Sequence, residues 1–273
     1  MADFAIDSGG VTIAGEEAGQ GIPVVLLHGL TATRRYVVMG SRTLERGGHR
    51  VLLYDARGHG RSGAAPEAGA YGYSDLARDL GAVLDGRGIA KAVLAGASMG
   101  AHTLLRFALD HPQRVAGIGV ITPAFDPEAE DAGRELERWD RLSDALRSDG
   151  VEGFVEAYGV DGVPEKWRDT VQKVLRQRLG AHEDLDAVAD ALRATPRSRP
   201  FEAWEELAAL DVPAVVVASR DDADPGHPLA TGERYAEAIP GAELRTEDEG
   251  ASPLAWQGGQ LSKVIAALAE RAG

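Results

Sequence analysis

Short apolar runs, most of them apolar through several successive positions rather than at alternate ones, punctuate this sequence and set the class of fold before any motif is considered. They occupy residues 22–27, ending at His28-Gly29; residues 50–54, ending at Asp55; residues 92–95, leading into Gly96; and residues 115–121, 212–218 and 242–246. A strand needs no polar face when both its faces are covered, so such runs predict buried parallel strands. Helical periodicity fills the gaps. Residues 73–84 place apolar side chains at helical spacing with Ser74 as N-cap, a second helix follows Ser98 through Leu104, Leu105 and Phe107, and a third covers 261–268 with Ser262 near its start. This alternation predicts a doubly wound, mostly parallel α/β sheet with right-handed crossovers.

The pattern changes between about residues 122 and 203. Helical stretches at 136–146, 151–158, 167–179 and 185–192 follow one another with almost no strand signal, broken by Pro123, Pro127, Pro164, Pro196 and Pro200. An all-helical insert between strands of one sheet reads as a lid over the carboxyl edge. The expected organisation is therefore a core of residues 1–122 and 205–273 with a helical cap, residues 123–204, inserted in the same domain after the sixth strand. With 273 residues, 44% of them hydrophobic, the chain can bury one sizeable core and carry such an insertion.

Charge narrows the partners. There are 43 acidic against 29 basic residues, a formal charge of −14, and this field repels nucleic-acid phosphates and anionic membrane surfaces. No cysteine is present, which excludes a disulfide scaffold, a thiolate nucleophile and any Cys-ligated metal. The first ten residues, MADFAIDSGG, lack the apolar core of a secretory signal, and the apolar runs are strand-length. The expectation is a cytoplasmic monomer or homodimer acting on a small molecule, with no cofactor, no metal, no nucleic acid and no membrane partner.

The candidate chemistry starts at Gly96-Ala97-Ser98-Met99-Gly100, where a buried run meets a helical pattern. A hydroxyl on a sharp strand-to-helix turn stands clear of the backbone at the positive end of a helix, where a developing oxyanion is stabilised. Small neighbours on both sides let the chain double back. The competing reading is an N-cap serine after a glycine turn. Further upstream, Asp55-Ala56-Arg57-Gly58-His59-Gly60-Arg61-Ser62 reads D-x-R-G-H-G-x-S. Together with the elbow and with His28-Gly29-Leu30, it resembles the α/β-hydrolase family across about residues 1–122 and 205–273. The closest likeness is to lid-bearing esterases, carbon–carbon bond hydrolases and cofactor-free perhydrolases. Branches of the fold with an aspartate nucleophile are excluded by Ser98.

The resemblance implies a Ser98 nucleophile, with the amides of Leu30 and Met99 as the oxyanion hole. It makes the Asp55–Ser62 loop structural, so His59 is not counted as catalytic, and gives His28 a bracing role. The acid would follow the run ending near Ser219; Asp222 fits best, with Asp221 and Asp224 behind it and a solvated acidic loop or a metal site as the other readings. The base is where the chain departs from the family. The order serine, acid, histidine normally ends in a G-H-S-P-like loop, and here Glu249-Gly250-Ala251-Ser252-Pro253 puts Ala251 in the histidine slot. Of seven histidines only His227 lies beyond Asp222, so the candidate triad is Ser98, Asp222 and His227. The alternatives are a histidine borrowed from the lid, such as His182, or no base at all.

His102 is expected to pack beneath the elbow, and His49 and His111 to lie at the surface. Arg34, Arg35, Arg197 and Arg199 are either carboxylate clamps or solvated side chains. Trp139, Trp167 and Trp204 read as lid packing. The function implied is a serine hydrolase acting on an ester or related acyl bond, possibly a carbon–carbon bond, through an acyl-enzyme. A degenerate ligand-binding protein, or a lyase or perhydrolase using the same serine, stays open.

Overall fold

The apolar runs lie side by side. A computed structural model describes residues 1–130, 132–221, 223–248 and 256–273, and among these it forms one eight-stranded sheet. In chain order the strands are β1 (Ala2–Ser8), β2 (Val11–Ala18), β3 (Ile22–Leu27), β4 (His49–Tyr54), β5 (Ala92–Ala97), β6 (Val115–Ile121), β7 (Ala214–Val217) and β8 (Glu243–Arg245). Their order across the sheet is β1-β2-β4-β3-β5-β6-β7-β8. Pairing is parallel from β4 through β8, and β1 and β2 add an antiparallel edge. The helices are α1 (Thr43–Arg46), α2 (Tyr73–Gly86), α3 (Met99–Asp110), α4 (Ala132–Tyr158), α5 (Glu165–Leu179), α6 (Leu185–Ala194), α7 (Leu229–Ala238) and α8 (Gly258–Ala272).

Adjacent residues of the central strands serve opposite cores, which is why their runs are apolar throughout. Val25, Leu94, Ile118 and Val216 pack with Leu80 of α2 and Leu104 and Leu105 of α3. Val24, Val93 and Val215, one residue away in each strand, pack with Leu261, Ile265 and Leu268 of α8. The β1–β2 hairpin escaped this reading because it is an edge: along β2, buried Val11 and Ile13 flank exposed Thr12. Burial that alternates leaves no apolar run to find.

Two expected helix starts shift. The N-cap of α2 is Gly72, not Ser74: Asp75 Oδ2 accepts from Gly72 N at 3.2 Å, and Ser198 Oγ accepts from Tyr73 N at 2.9 Å. A side chain from far along the chain thus takes the capping role that a local serine was expected to fill. Ser262 lies inside α8, where its hydroxyl donates to Gly258 O at 2.6 Å.

Between β6 and β7 the chain forms α4, α5 and α6. The break in sequence periodicity between 146 and 151 is a kink in α4 at Gly150, whose φ is +64°. Leu142, Phe154, Leu175 and Leu192 of this segment join Leu30, Ala56, Tyr73 and Met99 in one buried cluster. The helices therefore pack on the loops that leave the carboxyl ends of β3, β4 and β5. Among the described residues, no helix is long and apolar enough to cross a membrane.

Candidate active site

The elbow at Ser98 is built by close approach of backbone to backbone. Ser98 has φ 51° and ψ −115°, a conformation sparsely populated by residues with a side chain, and its N–H donates to Ile121 O at 3.0 Å. A Cβ on Gly96 would run into the Gly100 backbone, and one on Gly100 into the carbonyl of Leu27. Both glycines are required for the chain to turn directly from β5 into α3. Ser98 occupies the N-cap position of α3 but makes no side-chain capping bond, so its hydroxyl is left for another partner.

That partner is His227. Its Nε2 lies 2.9 Å from Ser98 Oγ, and its Nδ1 lies 2.9 Å from Asp224 Oδ2. Ser98 Oγ–H donates to Nε2 and Nδ1–H donates to the carboxylate, the donor direction a neutral imidazole allows. The loop after β7 makes this possible: Asp224 N donates to Asp221 O at 3.3 Å and His227 N to Asp224 O at 3.2 Å, so two successive turns bring acid and base to one side. Asp222, the expected acid, lies outside the described residues, as does Ala251 in the expected histidine slot; the carboxylate that meets His227 is that of Asp224. Burial pushes the Asp224 carboxyl up, but His227 beside it, with the charges of Arg178 and Arg138 behind, outweighs this and holds it below its ordinary range.

Sequence reading missed the anchor of this loop. Glu247, just past β8, accepts from Ser219 Oγ at 2.8 Å and Arg220 N at 2.5 Å through Oε1, and from Trp256 Nε1 at 3.1 Å through Oε2. Burial works against its charge, yet these bonds keep its carboxyl below the usual range. No local motif announces it, because its partners lie 28, 27 and 9 residues away.

The two residues expected as oxyanion donors, Leu30 and Met99, lie on the loop after β3 and at the start of α3. Met99 is the first residue of α3, and a Cβ on Gly29 would touch Ser98 Cβ at 3.5 Å, so the loop after β3 lies directly against the elbow. Both side chains are buried in the cluster beneath the helical segment. The loop itself is braced. His28 Nδ1 donates to Gly29 O at 2.8 Å while its Nε2 accepts from Ala56 N at 2.9 Å. In the Asp55–Ser62 loop, Asp55 accepts from Arg34 N at 2.8 Å and Arg61 N at 3.0 Å, and Arg57 grips buried Asp79 at 2.7 and 2.6 Å.

The other candidates are occupied elsewhere. His102 is buried beside the elbow, accepting at Nε2 from Ala124 N at 3.2 Å and Phe125 N at 3.1 Å and meeting Tyr73 Oη at 3.0 Å through Nδ1. Burial, reinforced by His227, lowers it to about 3. Arg34 pairs with Glu16 and Asp55, Arg35 with Glu16, Arg197 with Asp140 and Arg199 with Glu202. His182 meets Gly60 N and Thr31 O instead of Ser98. His49, expected at the surface, is buried as the first residue of β4. Trp204, taken as lid, packs with Phe201 and Tyr235 in the core around α3.

A family model described as the alpha/beta hydrolase fold matches residues 22–184. The chain belongs to the α/β-hydrolase family. This hydrolase is 32% identical over 204 residues, 74% of its own length and 75% of the other, to a protein of Variovorax paradoxus provisionally named carbamate hydrolase RutD. It is 30% identical over 203 residues, 72% of its length and 68% of the other, to a 2-hydroxy-6-oxononadienedioate/2-hydroxy-6-oxononatrienedioate hydrolase of Burkholderia vietnamiensis. Among solved structures it is similar to a thermophilic esterase from Thermogutta terrifontis, with TM-score 0.80, 25% identity, and 99% and 97% of the two chains covered.

Proposed function

We infer that this hydrolase cleaves an ester or a related acyl bond of a small molecule through a covalent acyl-Ser98 intermediate. The single observation that carries this reading is the continuous line Ser98 Oγ, His227 Nε2 and Nδ1, and Asp224 Oδ2, with 2.9 Å at each gap. His227 takes the serine proton as Oγ attacks the carbonyl. The amides of Leu30 and Met99 receive the oxyanion, Asp224 stabilises the imidazolium, and His227 returns the proton to the leaving alcohol. Water then attacks the acyl-enzyme with His227 again as base, giving the acid and free serine. Carbamate, oxo-dioate and ester substrates, the compounds or activities that the relatives are named for, share the electrophilic carbonyl this chemistry needs. Helices α4–α6 act as a cap that shields the acyl-enzyme, a role supported by their packing on Leu30 and Met99. The same line weighs against a degenerate binding protein, since a pocket without turnover has no use for a base held on the serine.

The test is labelling with a fluorophosphonate and turnover of a panel of p-nitrophenyl esters by the wild type, Ser98→Ala and His227→Ala. Labelling abolished by Ser98→Ala and turnover abolished by either change is the expected result. Undiminished ester turnover in His227→Ala would leave the assignment of the base without support.

A further inference from the structure

Three consecutive carbonyls after β3 each meet a different histidine. Gly29 O accepts from His28 Nδ1 at 2.8 Å and Thr31 O from His182 Nε2 at 3.2 Å, while Leu30 O lies 2.6 Å from His59 Nε2, whose Nδ1 lies 2.9 Å from Arg57 O. The rings form a column, His28 to His59 at 5.2 Å and His59 to His182 at 5.4 Å between centroids. Each peptide plane is rigid, with its N–H pointing opposite to its C=O. Pinning the Gly29 carbonyl therefore aims the Leu30 N–H, and pinning the Thr31 carbonyl fixes the turn closed by Ala32 N to Gly29 O at 3.0 Å.

Two of these histidines belong to the core, but His182 comes from the turn between α5 and α6. Its Nδ1 accepts from Gly60 N at 2.9 Å, which assigns the proton to Nε2 and makes that atom a donor to Thr31 O. The neighbouring Glu183 N donates to Gly60 O at 3.0 Å, so the helical segment is bonded to the Asp55–Ser62 loop in both directions. His182 is thus the one member of the column that departs if the helical segment lifts.

We propose that His182 is a positioning residue for the Leu30 oxyanion amide, through which the seating of the cap sets the geometry of the turn from Gly29 to Ala32. The inference rests on the serine-hydrolase reading above and adds that capping and oxyanion stabilisation are coupled. An open cap leaves Thr31 O without its donor and the turn free to rock; a seated cap restores the turn. Acylation is then efficient only when the site is covered, and misplacement of a catalytic group by about 1 Å costs on the order of 100-fold.

The experiment compares wild type, His182→Ala, His182→Gln and His182→Asn by steady-state hydrolysis of p-nitrophenyl acetate, inhibition by phenylboronic acid and thermal unfolding. Gln keeps a donor near the Nε2 position and Asn keeps an acceptor near Nδ1, so the two variants separate the Thr31 contact from the Gly60 contact. The expected result is a fall in kcat of about 10- to 100-fold for His182→Ala and His182→Asn with KM little changed. Boronate affinity should fall in parallel, because the adduct mimics the tetrahedral oxyanion, and His182→Gln should recover most of both. Recovery by Asn but not Gln, or a kcat of wild-type size in His182→Ala, overturns the inference. A wild type without Ser98-dependent turnover or fluorophosphonate labelling overturns the serine-hydrolase reading itself, and the inference with it.

Discussion

His227 Nε2 stands 2.9 Å from Ser98 Oγ across 129 residues of sequence, and Asp224, three residues before His227, completes the line. Acid and base therefore travel on one short loop, held at its root by Glu247. Replacing Asp224 with Asn should lower kcat by about 10³- to 10⁴-fold, because the amide no longer holds the imidazole in the right tautomer or stabilises its charge. The same change at Asp222 should cost less than about threefold. Ester hydrolysis by the two variants decides between the acids, and a larger loss at 222 would sink the assignment of Asp224.

Strain at the elbow yields a stability prediction. Ser98 sits at φ 51° and ψ −115°, where a side chain costs about 1–3 kcal/mol and glycine costs little. Ser98→Gly should therefore unfold at a higher denaturant concentration than Ser98→Ala, by about 1 kcal/mol or more, while both lose all turnover. Equal stabilities would mean that the backbone carries no strain there.

The glycines around the serine permit no methyl group. Gly100→Ala would push a Cβ into the carbonyl of Leu27 on β3, and Gly96→Ala into the backbone of Gly100. Neither neighbour is the flexible end of a side chain, so each variant should lose about 3 kcal/mol or more of stability, or activity by at least 100-fold through a displaced Ser98. Gly259→Ala, where nothing lies within 4 Å of the new atom, is the control and should behave as wild type. Wild-type melting and turnover in Gly100→Ala would contradict the packing described.

Acid should destabilise the fold through its buried histidines. Burial, with the charge of His59 adding, lowers His28 to about 4, and burial lowers His102 to about 3. Unfolding returns both rings to about 6.5, so below that pH the unfolded chain binds more protons than the folded one. Stability from these two is complete above about pH 6.5 and declines as pH falls towards 4. Between pH 7 and 5 each should give up about 2 kcal/mol. Chemical denaturation across this range checks the slope, which His102→Gln should make shallower. A stability unchanged from pH 7 to 5 would rule the mechanism out.

Much of the frame was legible because it follows from local chemistry. Val24 and Val25 are both apolar because they face different cores, and any reader of the run between residues 22 and 27 can infer two covered faces. The β1–β2 hairpin at the sheet's edge was missed for the same reason in reverse, since an exposed Thr12 between buried Val11 and Ile13 leaves no continuous apolar run. His227 could be reached by elimination, as the last histidine of the chain, but its acid could not. Whether residue 221, 222 or 224 faces the imidazole depends on two turns after β7 whose bonds are between backbone groups common to every residue.

The buried parallel strands, the need for Gly96 and Gly100, and the presence of a serine at the bend are consequences of side-chain size and polarity within a few residues, and they can be read from the chain unaided. Contacts between distant segments cannot. The Ser98–His227 bond, the Glu247 anchor and the alignment of His28, His59 and His182 on three successive carbonyls exist only once β3, β7, β8 and the helical segment have packed. Hydrogen bonds of this kind are short-ranged and directional, so no residue spacing encodes them; the backbone path through space does.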